Sequence, residues 1–478
     1  MEGMGIVNSL FWKFLERFFS QFLGFVIQIV LARLIEPAEF GVLAIVIAVI
    51  NIASIFIQNG ISTFIVVKKE IDDLDLSTVM CSSMIISGVG YITLFFLSPL
   101  IERGYNLTNL AAYIRILSFV LFLYAFNAVY MGLLEREMKF KSLFLRSIIA
   151  VPISGGVGIW MAYSGYGIYA LIVQTLLNQL FLCIVLCIGV KRFFAIRFSM
   201  KRAKEIYKFC IPIMIQWAVG DVVNMIKSLS ISKLYSTEDL AYYDKGSSYS
   251  NYINQFVNAP IAHVLLPAFS KWQSDLEKLK QIYLVTLKLS NMISLPIIMG
   301  FAAISKNFII FFLTSKWVFA VDFLIAFCII RAINISINLN VQIFYVLKMS
   351  KMVMILNLII TVLSFAAFFI SRAISPLAIV WGEIVVTVFL ELCTLFLIKK
   401  YIGALIVEQI KCFLNPIIGV VLMSMIVYFI DRLITAPFWA LIAQIMIGAG
   451  FYVLFSFFFQ HKELVFLKEK VLESIRKI

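Results

Sequence analysis

A chain of 478 residues that is 62% hydrophobic and only 14% charged, with a mean hydropathy of +1.01, lies outside the range of soluble globular domains and belongs in a lipid bilayer. Its net charge of +14 would suit a nucleic-acid partner, but the excess of Lys and Arg sits in loops between apolar runs, which is a topological bias, so no nucleic acid is expected. Apolar runs of about 20 residues recur without the ~10-residue alternation of barrel strands, which excludes a porin-like barrel.

The predicted spans, in chain order, are 10 to 34, 41 to 66, 78 to 98, 110 to 134, 144 to 163 and 168 to 190. A second set follows at 206 to 234, 241 to 266, 281 to 304, 319 to 347, 352 to 371 and 376 to 398, and two more at 411 to 430 and 437 to 459. The expected fold class is an all-α polytopic membrane protein of about 14 transmembrane helices. The first run is too long for a cleaved signal peptide and is expected to stay as a span. The run at 241 to 266 is weakly apolar; it is kept because its partner at 41 to 66 is unmistakable.

That partnership comes from aligning the chain with itself. At an offset of 200 residues, Ala32-Arg-Leu-Ile-Glu-Pro-Ala-Glu-Phe-Gly41 falls on Ser232-Lys-Leu-Tyr-Ser-Thr-Glu-Asp-Leu-Ala241, and Asn51, Ser54 and Gln58 fall on Asn251, Asn254 and Asn258. Membrane transporters are commonly built from such weak repeats. The expected organisation is a six-helix lobe over 1–190, a basic cytoplasmic linker over 191–205, a second six-helix lobe over 206–400, and two extra helices with a basic tail over 401–478.

With the N-terminus inside, the inner loops and tail hold 26 of the 40 Lys and Arg residues and the outer loops seven, so both termini are expected in the cytoplasm. The most basic loop, Lys191 to Lys208, is expected beside anionic membrane lipids. The seven cysteines fall nearly all in hydrophobic runs without a CxxC pair, which reads as buried thiols.

Polar side chains at helical spacing locate an interior, because in lipid they need a partner or a wet cavity. The first span carries Lys13, Arg17, Gln21, Gly24 and Gln28; the seventh Gln216, Gly220, Asn224 and Lys227 with Asp221 alongside. The eighth carries Asp244, Ser247, Asn251, Asn254 and Asn258 with Lys245, the tenth Arg331, Asn334, Asn338 and Gln342, and the twelfth Glu383, Thr387, Glu391 and Thr394. Neutral members of these stripes serve equally well as hydrogen-bonding glue between helices. A charge near mid-membrane costs about 3 kcal/mol even on the lenient insertion scale, which favours cavity lining for Arg17, Asp221, Lys227, Asp244, Lys245, Arg331 and Glu383. Glu16, Arg115 and Glu391 are also read as snorkelling or boundary residues. Arg and Lys suit an anionic cargo, while a desolvated carboxylate ties its proton or sodium occupancy to the open side of a carrier, the role expected of Asp221 and Glu383.

Ala262-His-Val-Leu-Leu-Pro-Ala-Phe-Ser-Lys-Trp-Gln-Ser-Asp275 resembles the polysaccharide transporter branch of the multidrug/oligosaccharidyl-lipid/polysaccharide flippase superfamily, which includes the O-antigen, colanic-acid and teichuronic-acid flippases. Asp239-Leu-Ala-Tyr-Tyr-Asp-Lys245 resembles its "LG-x-Y-(D/N)-x-A" opening of the eighth helix, Trp12, Arg17, Gln21 and Leu31 to Gly41 resemble its first signature, and Leu313-Thr-Ser-Lys-Trp317 stands at its "L-x-G-x-x-W" turn. The likeness covers about the first 400 residues. It implies two pseudo-symmetric six-helix lobes, often with two extra helices, and flipping of undecaprenyl-pyrophosphate-linked oligosaccharide by alternating access. Arg17, Asp244 and Lys245 are the motif-matched positions, with Gln21, Lys227, Asn251, Arg331 and Asn338 added as substrate-lining candidates. Ser315 and Ala241 replace two glycines of the pattern. The implied partners are lipid-linked oligosaccharide, membrane lipids, a proton or sodium ion, and the polymerase and glycosyltransferases of the same pathway.

Two other functions compete. A polytopic polymerase or glycosyltransferase would show an extramembrane loop with paired carboxylates or a metal site; no outer loop exceeds about a dozen residues and the chain has two histidines, His263 and His461. No phosphate-binding GxxxxGK[ST] loop is present, and no cofactor is implied. A drug or metabolite exporter of the same superfamily shares the two-lobe design but favours cationic cargo, which a basic cavity would repel. Tyr242, Tyr249 and Tyr252 suit either stacking on sugar or packing at an interface.

Overall fold

A computed structural model describes residues 2–58, 60–68, 70–137, 139–190, 197–270, 272–273 and 275–459, and the side chains of 2–11, 13–14, 140, 188–190, 216, 258–268 and 270 are not among those described. Lys191 and Arg192 of the linker, the side chains of Lys13, Gln216, Asn258 and His263, and the tail with His461 therefore lie outside the described residues. The described chain is α-helical throughout, joined by turns and one 3-10 turn.

Contacts divide the chain into two compact units, residues 1–241 and 242–478. The first holds α1 (Glu2–Leu34), α2 (Pro37–Gln58), α3 (Ile61–Val67), α4 (Asp73–Tyr105), α5 (Leu110–Ser118), α6 (Val120–Arg136), α7 (Phe140–Tyr163), α8 (Ile168–Val190) and α9 (Met200–Leu234). α10 (Thr237–Ser270) runs from the first unit into the second, which continues with α11 (Leu276–Leu313), α12 (Ala320–Val346), α13 (Ser350–Ser371), α14 (Pro376–Ile402), α15 (Ile406–Leu433) and α16 (Pro437–Phe459). The offset of 200 residues recurs in the backbone. α1 ends at Leu34 and α9 at Leu234, and α2 opens at Pro37 while α10 opens at Thr237.

Every predicted span falls on one helix or on a broken pair, but the count of 14 is not confirmed. Among the described residues 12 helical stretches are long and apolar enough to cross a membrane. A thirteenth, α9, qualifies as a pair bent by 42° between Ile215 and Trp217. The bend lies one turn beyond Pro212, which lacks the N–H that would reach back to the carbonyl of Lys208. α10 has the length but not the apolarity, because its polar face is too rich in Asp, Asn and Ser.

The second span is interrupted where Gly60 takes φ +85°, a left-handed conformation that divides α2 from α3. α4 opens on a capping box: Asp75 N donates to the Asp72 carboxylate at 2.7 Å and Asp72 N donates back to Asp75 at 3.3 Å. Asp72 is thereby held below its ordinary pKa of 3.8, first by the backbone N–H of Asp75 and then by its side chain, Arg202 and Lys68. Asp75 is buried at 1% exposure beneath two cations, Lys68 at 2.5 Å and Arg202 at 3.0 Å, which joins the end of α3 and the start of α9 to α4. The end of the linker is clasped to the same helix: Arg197 N donates to Ser77 Oγ at 2.7 Å, and Ser77 Oγ donates to Arg197 O at 2.6 Å.

The core of the first unit joins Ile55, Ile61, Ile65, Leu76, Val129 and Cys210 of α2, α3, α4, α6 and α9. In the second, Tyr283, Leu287, Phe344, Ile398 and Cys412 knit α11, α12, α14 and α15. Where a helix keeps its apolar residues on the outside it faces lipid: on α13, Val362 is 67% and Ile370 74% exposed. The last two helices are integral to the second unit. Lys280 pairs with Glu408 at 3.1 Å near one end of α11, Lys306 with Asp431 at 2.8 Å near the other, and Tyr452 OH of α16 donates to Met292 O at 3.0 Å. All seven cysteines are free thiols, four buried and three half-buried.

Candidate functional site

The richest grouping of sequence candidates lies in the second unit, where α10 packs against α12 and α14. Adjacent helical residues point about 100° apart, so Asp244 and Lys245 separate: Asp244 is exposed while Lys245 is 4% exposed. The Lys245 ammonium lies 5.7 Å from the ring centre of Trp317 and 5.9 Å from that of Tyr249, a buried cation held on aromatic faces.

The turn after α11 makes that contact possible. Thr314 takes φ +82°, rare for a β-branched residue, and the single 3-10 turn Ser315–Trp317 drives Trp317 inward to full burial. Thus Thr314 carries the left-handed backbone beside Ser315, the residue that departs from the glycine pattern. Tyr242 completes the arrangement, its ring edge-on to Trp317 at 6.0 Å and its OH donating to Lys316 O at 3.2 Å. Gly246 is required by packing. A Cβ there would stand 2.7 Å from Phe323 Cβ and 2.8 Å from Leu324 N, so α10 and α12 touch backbone to backbone. Ala241, the other departure, is buried within the unbroken α10.

Tyr243 links the remaining charges. Its ring packs edge-on against Phe327 at 5.1 Å, and its hydroxyl is in hydrogen-bonding range of Glu383 and electrostatic range of Arg331 and Asp244. Glu383 also acts on Arg331. Arg331 Nε is buried and without a hydrogen-bond partner among the described residues. The structure thus brings Arg331 and Glu383 together about Tyr243, with Asp244 in electrostatic range, while Lys245 turns away to Trp317 and Tyr249. Asn251 and Asn338 stand two turns further along α10 and α12, half-buried and exposed respectively. Sequence reasoning missed Tyr243, whose only signal was its place between Tyr242 and Asp244.

The candidates of the first unit are dispersed. Arg17 is exposed and Gln21 half-buried on α1, which packs along α7, whereas Lys227 and Asp221 sit on α9, which packs on α2 and α4. Lys227 is 4% exposed and Asp221 half-buried. Arg115 folds back over the Phe95 ring at 4.1 Å and donates to Ser98 Oγ at 3.0 Å. Glu16 accepts from Ser147 at 3.3 Å. Among the described residues no group of three or more His, Cys, Asp and Glu side chains is arranged to hold a metal.

Long apolar helices define a multi-pass membrane protein, and its fold is shared by solved structures of a flippase and of a multidrug resistance transporter. A solved structure described as lipid II flippase MurJ in an inward closed conformation matches with a TM-score of 0.78 at 19% identity, over 94% of this chain and 99% of that one. The chain belongs to the polysaccharide biosynthesis protein family, whose pattern matches residues 30–322. It is 24% identical to an uncharacterised membrane protein of the cps region of Klebsiella pneumoniae, over 97% of this chain and 96% of that protein. It is 20% identical to the succinoglycan biosynthesis transport protein ExoT of Rhizobium meliloti, over 66% of this chain and 64% of that protein. ExoT and MurJ are by name a transport protein and a flippase rather than enzymes.

Proposed function

We propose that this chain moves polyprenyl-pyrophosphate-linked oligosaccharide from the cytoplasmic to the outer leaflet of a bacterial cell membrane by alternating access, in the assembly of a cell-surface polysaccharide. The observation that carries the reading is Arg331, a guanidinium within a membrane-spanning helix whose buried Nε has spare donor capacity, with Lys245 as a second buried cation of the same unit. Guanidinium and ammonium groups match a pyrophosphate, the one by bidentate hydrogen bonds and the other as a point charge. Arg17, Gln21, Lys227, Asp244, Asn251 and Asn338 line the path of the cargo in this reading, and Asp221 and Glu383 bind the coupling proton or sodium ion. The lobes in this reading are those expected from the sequence, residues 1–190 and 206–400, although α9 packs into the core of the first unit; both termini are cytoplasmic, and polymerase and glycosyltransferases of the same pathway act before and after it. Family membership and the names of the relatives support the polysaccharide cargo.

The test is flipping in proteoliposomes carrying a fluorescent polyprenyl-pyrophosphate oligosaccharide, with and without a proton or sodium gradient. Wild type is expected to move the lipid, and Arg331→Ala and Arg17→Ala to reduce the rate at least tenfold while the protein stays folded. Movement of a soluble organic cation with none of the lipid-linked sugar would replace this reading by that of an exporter.

A further inference from the structure

A second carboxylate site lies apart from the Lys245 and Arg331 grouping, between α11, α12, α14 and α15. Its centre is Glu391 of α14. Ser336 Oγ donates to Glu391 Oε1 at 2.6 Å, and Thr394 Oγ1 lies 3.0 Å from the Glu391 carbonyl and 3.4 Å from Oε2. Behind Thr394 runs a buried chain: Asn340 Nδ2 donates to Thr394 Oγ1 at 2.9 Å, and Tyr283 OH donates to Asn340 Oδ1 at 2.7 Å, with Gln409 Oε1 also at 3.1 Å. Gln409 Nε2 is fixed in turn by the carbonyls of Leu395 and Ala404 at 3.1 and 2.9 Å. Tyr283, Asn340, Thr394 and Gln409 are all fully buried. From Tyr283 through Asn340 the donors run towards the carboxyl.

On its other side Glu391 borders a cavity of about 420 Å³ walled by residues such as Met299, Ile333, Leu395, Phe413 and Ile417, in which it is the only ionisable residue. The titratable groups facing it are Tyr283 of α11 and, beyond Tyr283, Cys412 of α15; α12 offers the neutral Ser336 and Asn340. Among the described residues no Lys, Arg or His forms an ion pair with it. An anion on an apolar wall without a counter-charge is costly. A hard metal ion asks for about six oxygens, and one carboxyl facing hydrocarbon does not supply them. A proton needs only the carboxyl.

We propose that Glu391 is a proton-binding site of the second unit, separate from Asp221 and Glu383. When it takes the proton, the Ser336 hydroxyl loses its charged acceptor and can turn to a carbonyl one turn back on its own helix, so proton occupancy changes the bond that joins α12 to α14. The site does not depend on what the cargo is.

The test uses the full chain in lipid nanodiscs. Infrared difference spectra between pH 5 and 9 are recorded for wild type, Glu391→Gln and Ser336→Ala. The expected result is a titrating carboxylic-acid carbonyl band in wild type, lost in Glu391→Gln and displaced in both frequency and midpoint in Ser336→Ala. Labelling by dicyclohexylcarbodiimide, which adds to a protonated carboxyl, is expected on the Glu391 peptide at the acid end and lost at the alkaline end. Ile410, Ile417 and Val421 at the cavity rim are 50%, 47% and 46% exposed, which gives the reagent access. If Glu391→Gln does not fold, the wild-type titration and the Ser336→Ala displacement remain decisive. A wild-type spectrum without a titrating carboxyl band, or a band indifferent to both substitutions, overturns the proposal. No cargo is present, so the outcome is separate from any failure of lipid flipping.

Discussion

Lys245 shows how a charge is accommodated inside this fold: it gives up water for two aromatic faces. A desolvated cation on such faces is worth about 2 kcal/mol. Lys245→Ala and Trp317→Leu are each expected to lower the stability of the detergent-solubilised protein, and the double variant to lose less than the sum, because each removes the same contact. Thermal unfolding of the four proteins measures the coupling. Gly246 is the sharper case. With Phe323 and Leu324 within 3 Å of its missing Cβ, Gly246→Ala should cost on the order of 1–3 kcal/mol. Gly24, with nothing within 4 Å, should accept alanine with no loss. Both glycines were visible in the sequence; their different tolerance was not, because it is set by the helix that passes, not by the helix that carries them.

At the scale of the element, the cap of α4 predicts a pH dependence. The folded-state pKa of Asp72 is depressed, so its contribution to stability is fully present above its unfolded value, near 3.8, and is lost as pH falls through the lower folded value. The stability difference between wild type and Asp72→Asn is therefore expected to be constant from pH 7 to about pH 5 and to shrink below pH 4. Asp75 matters more. Removing one partner of a buried pair costs about 3–5 kcal/mol, but Lys68 and Arg202 keep 24% and 35% exposure, so Asp75→Ala is expected to cost on the order of 2 kcal/mol. α10 teaches the reverse lesson about helices: it lacks the apolarity of a span, yet it supplies the backbone contact to α12 and the residues of the candidate site. Its polar face was recognisable from the repeat with 41–66, whereas its packing required the partner helix.

At the scale of the whole molecule, the distribution of Lys and Arg predicts which loops face out. In a cysteine-free background, Tyr166→Cys, between α7 and α8, should react with a membrane-impermeant maleimide in intact cells, and Leu405→Cys, between α14 and α15, only after permeabilisation. Both positions are more than half exposed, at 54% and 51%, so reactivity reports sidedness rather than burial. The reverse pattern would invert the orientation and, with it, the direction proposed for transport.

The sequence by itself determined the membrane class, the approximate position of each helix, the repeat at an offset of 200 residues and the family resemblance, because hydrophobicity, helical period and turn residues are local properties of the chain. It also named Asp244, Arg331 and Glu383 without being able to say that they meet around Tyr243. The tertiary structure decided that Lys245 lies under Trp317, that Tyr243 links Glu383 to Arg331, and that Tyr283, Asn340 and Gln409 form one buried chain to Glu391. The hydrogen-bonded residues of that chain are separated by 54 to 126 positions, and a hydrogen bond depends on which faces of two distant helices come within about 3 Å of each other. The thirteenth and fourteenth helices were left to the fold for the same reason: α9 bends beyond Pro212, and α10 keeps its polar residues because packing, not apolarity, holds them.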